Sequence, residues 1–102
     1  MIKKEIFRPG EIIFNSFDEK NTGQFYASND LLSEDMLRIK YDNNIFLDVG
    51  WYNFLNMFII HIIKDDDWTA PIEKRLSCDL ISLEKNLLEV VNNIKQLILI
   101  DF

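Results

Sequence analysis

The chain has 102 residues, with 17 Asp and Glu against 11 Lys and Arg, a net charge of −6 and an apolar fraction of 48%. That fraction is too high for a disordered chain, and the length suits one hydrophobic core, so a single domain over residues 1–102 is expected. The acidic balance argues against nucleic acid or an anionic membrane as the partner, because phosphate binding needs clustered Lys and Arg. The longest strongly apolar stretches, Met57–Ile63 and Leu97–Ile100, fall well short of the roughly 20 residues that span a bilayer. MIKKEIFRPG at the start is basic but lacks the apolar run of a signal peptide. Cys78 is the single cysteine, which suits a reducing compartment. The expected location is cytoplasmic.

In chain order, residues 5–17 read as irregular strand, with Pro9-Gly10 as a turn and Glu11–Phe14 as a short strand after it. Asp18–Gly23 is a polar connection, and Gln24–Ala27 is a further short strand. Ser28 or Asn29 then caps a short helical turn over Asp30–Asp35. From Leu37 the pattern has period two. Leu37, Ile39 and Tyr41 alternate with Arg38 and Lys40, and Ile45, Leu47, Val49 and Trp51 continue the apolar side after Asp42-Asn43-Asn44. Two alternating runs around an Asp/Asn turn predict a hairpin. The same alternation places Trp51 with the core and sends Asp48, Gly50 and Tyr52 to the opposite face. Gly50 reads as a strand bulge, a bend, or room for a neighbouring aromatic.

A turn follows between Asn53 and Asn56. Met57–Ile63 is apolar on both faces and rich in isoleucine, which suits a strand covered on both sides. Lys64–Pro71 is a long polar turn. Residues 72–78 alternate with charges on both faces, as an edge strand tolerates. Beyond Ser82, read as an N-cap, Leu83, Leu87, Val90, Val91, Ile94, Leu97 and Ile98 recur at steps of three and four. That spacing predicts an amphipathic helix of about four turns. The expected fold is α+β: an antiparallel β-meander sheet packed by a C-terminal amphipathic helix.

Little in this sequence looks catalytic. His61 falls on an apolar strand face and reads as a core or interface histidine with its ring nitrogens hydrogen-bonded. Cys78 has no oriented base beside it and reads as a small buried hydrophobe. Three scattered glycines build no phosphate cradle, and no metal-ligand spacing occurs, so no cofactor is expected.

The most unusual local feature is Asp65-Asp66-Asp67-Trp68. Three adjacent carboxylates repel one another unless water or a cation screens them, so they belong in a loop. Three readings stand: a solvated turn; a calcium or magnesium site, although the usual acidic loop spacing is missing; or a protein-binding patch in which carboxylates steer a basic partner and Trp68 anchors it. Asp48 and Tyr52 on the outer sheet face, with Glu34 and Asp35, are candidates to join that patch.

Phe46-Leu47-Asp48-Val49-Gly50-Trp51-Tyr52, followed by an apolar strand and Asp66-Asp67-Trp68 in a small acidic domain, resembles the small bacterial immunity proteins of contact-dependent growth inhibition and related polymorphic toxin systems. The resemblance covers roughly residues 37–95. It implies a cytoplasmic, non-enzymatic protein that binds one cognate toxin domain, often a nuclease, as a monomer in a heterodimer. The acidic balance suits it, because a nuclease grips phosphates in a cationic cleft that a carboxylate patch can occupy. The alternatives are a small metal-assisted hydrolase using Asp65–Asp67, and an adaptor or oligomerisation module using the sheet edge or Leu97–Phe102.

Overall fold

A computed structural model describes residues 2–17 and 34–100. Lys4–Phe7 forms a 3-10 turn rather than strand, and the chain then turns through Pro9 and Gly10 into β1 (Glu11–Asn15). The sheet continues with β2 (Leu37–Tyr41), β3 (Ile45–Tyr52), β4 (Met57–Lys64) and β5 (Glu73–Ser77). All neighbours are antiparallel, and the spatial order β1-β2-β3-β4-β5 matches the chain order. Helix α1 (Leu80–Ile100) closes the chain. The fold is therefore the expected α+β meander with its C-terminal helix. The strand read at Gln24–Ala27 and the cap at Ser28 or Asn29 lie outside the described residues. Of the turn expected over Asp30–Asp35 only Glu34 and Asp35 are described, and they are not helical. The Met36 amide donates to the Val49 carbonyl at 3.0 Å as the chain enters β2.

Period two gives the sheet two distinct faces. Leu37, Ile39, Leu47, Val49, Ile60 and Ile62 point to one side, where Leu83, Leu87, Val90, Val91 and Ile94 of α1 bury them. Each such side chain contributes about 1.5–3 kcal/mol by leaving water. Trp51 packs at the margin of this core, its ring edge-on to Phe58 with centroids 4.9 Å apart. Phe7 and Ile2 close one end, where the Tyr41 hydroxyl donates to the Phe7 carbonyl at 2.8 Å. Burial there raises the Tyr41 pKa well above its ordinary value.

The helix is longer than its apolar repeat implies: 21 residues, or nearly six turns. Its cap is Asp79, not Ser82. The Asp79 carboxylate accepts from the Ser82 amide at 2.7 Å, and its carbonyl accepts from the Leu83 amide at 3.0 Å. Ser82 lies inside the first turn because Asp79 already satisfies the free amides there. Leu97 packs against the core and Ile98 is buried, while Leu99 is exposed. No helix of the described residues is long and apolar enough to cross a membrane. Cys78 lies just past β5 and is exposed, not buried, because pairing ends at Ser77.

Gly50 is neither a bulge nor space for an aromatic. The β3–β4 ladder runs through it without interruption, opposite Ile59. A side chain at this position would collide with the backbone carbonyl of Glu34, which crosses the outer face of the sheet there. Glycine is required because backbone, unlike the end of a long side chain, cannot step aside cheaply. Gly50→Ala should therefore lower stability by about 1–3 kcal/mol in chemical denaturation, the range expected of an overpacked site. Asp79→Ala should cost about 1 kcal/mol through loss of the cap.

Candidate functional site

The face of the sheet away from α1 carries a row of polar residues set by register. Arg38 on β2 lies opposite Asp48 on β3, Asp48 opposite His61 on β4, and His61 opposite Lys74 on β5. Such cross-strand neighbours interact directly when side chains share a face. Arg38 is the hub. Its guanidinium carbon lies over the Phe46 ring, 4.1 Å from the centroid, so the cation meets an aromatic face. From there it reaches Asp48 at 3.6 Å and Asp66 at 3.0 Å.

Asp66 arrives from the β4–β5 connection because of how that turn is built. Asp65 and Asp66 both have left-handed backbone, each with φ 56°. Aspartate tolerates this better than most residues. The Asp65 amide donates to the Asn44 carbonyl at 3.0 Å, and the Asn44 side-chain amide donates to the Asp65 carboxylate at 3.1 Å. Asp67 accepts from the Thr69 hydroxyl and backbone amide, and those bonds hold its carboxyl below the usual carboxylate range. The three carboxylates therefore do different work: Asp65 and Asp67 build the turn, and Asp66 alone reaches the patch. Among the described residues, no group of three or more His, Cys, Asp or Glu is placed to hold a metal ion.

Asp48 sits in the middle of the row. Burial is the main influence on its carboxyl, and Asp35 and Asp66 add repulsion. Arg38 opposes them only in part, so the pKa rises to about 6. Its Oδ2 is buried and accepts no hydrogen bond among the described residues. Toward the hairpin end, Tyr52 is raised as well, by burial first and then by the charges of Glu34, Asp35 and Asp48. Glu34, Asp35, Asp48, Asp66 and Tyr52 thus share one surface, with Arg38 against Asp48 and Asp66 and Lys74 at the far end of the row.

Trp68 stands on another flank of the face, its ring 5.3 Å from that of His61 and edge-on to it. His61 is therefore half-buried beside an indole rather than in the core. Burial and the nearby Lys74 lower its pKa and favour the neutral ring. Sequence reading placed Trp68 and Tyr52 together with all three aspartates. The fold puts Tyr52 with Glu34 and Asp35 and pairs Trp68 with His61.

Two contributors were missed. Arg38 read only as an outward charge, although pairing β2 and β3 symmetrically about Asn43 sets it opposite Asp48. Phe54, at the tip of the β3–β4 hairpin and 80% exposed, read only as part of a turn. Comparison with protein-family models, with curated proteins and with solved structures gave no match.

The raised pKa of Asp48 has a definite sign. The folded carboxyl holds its proton up to about pH 6, whereas the unfolded one releases it near 3.8. Between those values the native state binds more protons, so this group's contribution to stability falls as pH rises. Asp48→Asn should therefore be the more stable form at pH ~7.5, by about 1–2 kcal/mol after screening, and should equal the parent below pH ~4. Urea midpoints across that range test it. A less stable amide at neutral pH would contradict it.

Proposed function

We propose that this chain is an immunity protein: a non-enzymatic inhibitor, acting in the cytoplasm, that binds a cognate toxin domain and occludes its cationic cleft. A nuclease is the toxin chemistry that fits best. The observation that carries this reading is the gathering of Glu34, Asp35, Asp48 and Asp66 beside Tyr52 on one accessible face of a chain with net charge −6. A cleft lined with Lys and Arg for phosphate contacts attracts such a face at long range and matches its charges at short range. The inhibitor needs no chemistry of its own to block substrate entry. One monomer per toxin domain is the stoichiometry that a single patch implies.

The reading expects the upstream gene to encode a large secreted protein that ends in a toxin domain. Co-expression of that domain with this chain should restore growth, and the two should co-elute as a heterodimer. Replacing Glu34, Asp35 and Asp66 together by their amides should slow association by about tenfold at low salt and flatten its salt dependence. Asp67→Asn, which acts within the turn, should leave association largely unchanged. If the domain is absent, or if growth is not restored, the reading falls.

A further inference from the structure

We propose that Phe54 and Leu55, at the tip of the β3–β4 hairpin, are the apolar anchor by which this protein enters a pocket at the centre of a Lys- and Arg-rimmed protein cleft; this rests on the toxin-binding reading above. The connection Asn53–Asn56 projects Phe54 with 80% of its surface exposed and Leu55 with 43%. These side chains are not on a loose loop. The Trp51 indole donates to the Asn53 side chain at 2.6 Å, the Leu55 amide to the Tyr52 carbonyl at 3.1 Å, and the Asn56 amide to the Asn53 carbonyl at 3.1 Å. Asn56 closes the turn in the left-handed region at φ 55°. The Tyr52 ring meets Phe54 edge-on, with centroids 6.1 Å apart. The tip is therefore an aromatic knob held from below by its own hairpin.

Charge decides what the knob fits. Tyr52 joins it to the surface that holds Glu34, Asp35 and Asp48. An apolar centre beside several carboxylates calls for an apolar pocket with a cationic rim, the arrangement in which a few buried aromatic anchors dominate affinity and the charges around them set the encounter rate. A second copy of this chain fits poorly, because pairing two such tips about a two-fold axis opposes like carboxylates on chains of net charge −6. An anionic membrane is repelled for the same reason.

The test uses a catalytically inactive form of the toxin domain encoded by the neighbouring gene, with binding kinetics measured at low and high salt. Phe54→Ser should weaken binding by about tenfold or more, mainly through faster dissociation and equally at both salts. Glu34→Gln with Asp66→Asn should instead slow association at low salt only. Phe54→Trp should retain binding. Because Phe54 is exposed, Phe54→Ser should melt like the parent, so a loss of binding is not a loss of fold. If the parent binds and both Phe54→Ser and Leu55→Ser bind equally well, the anchor is overturned and the toxin-binding reading stands. If the parent does not bind the domain, both fall. If light scattering shows a dimer that Phe54→Ser dissolves, the tip is a self-interface and the proposal is overturned.

Discussion

The register of the β2–β3 hairpin governs the rest of the molecule. Asn43 and Asn44 take left-handed backbone, with φ 62° and 57°, and so bring Arg38 opposite Asp48 and Leu37 opposite Val49. A slip of one residue would turn every side chain of β2 to the other face. Leu37 and Ile39 would leave the helix, and Arg38 would enter the core. The turn is strengthened from outside, because Asn44 also bonds to Asp65 of the β4–β5 connection. The short link that fixes the core therefore also positions the loop that delivers Asp66 to Arg38.

β4 imposes the second requirement. Ile59 and Ile63 are buried on the outer side of the sheet, just as Phe58, Ile60 and Ile62 are buried on the inner. Among the described residues, α1 covers only the inner side. On the other, the backbone of Glu34 crosses at Gly50, the Arg38 side chain lies over Phe46, and Trp68 stands against His61. These pieces are polar or amphipathic. They keep charge at the surface of a face whose strand β4 also carries the buried Ile59 and Ile63. Asp48 bears the cost, with a carboxyl that burial and its acidic neighbours make reluctant to ionise.

Much of this was legible in the residues. Alternation around Asp42–Asn44 and the three- and four-residue steps after Leu83 specify the hairpin and the helix, because both signals come from side chains choosing between water and a core. The helix start was misread at Ser82 because capping depends on which carboxylate geometry brings to the free amides, and Asp79 was hidden at the end of a strand. The acidic run misled in a different way. Adjacent identical residues carry identical sequence signals, yet left-handed backbone at Asp65 and Asp66 separates their roles. Glu34 and Asp35 were candidates from their charge alone; what stayed hidden was how they reach the sheet, because that depends on a crossing over Gly50, a contact between segments distant in sequence and made by backbone.

The edge strand β5 carries a last consequence. Its Glu73, Arg75 and Ser77 face α1, where Arg75 bonds to Glu73 and Glu89, Asn93 donates to Glu73 at 3.0 Å, and Asn86 donates to Ser77 at 2.8 Å. Hydrocarbon surfaces slide past one another at modest cost, but directional bonds on successive turns of a helix do not. The clasp holds the helix in phase with the sheet, and the sheet in one shape beneath its acidic face. A face held in one shape would lose less conformational entropy on binding any partner than a loose one would.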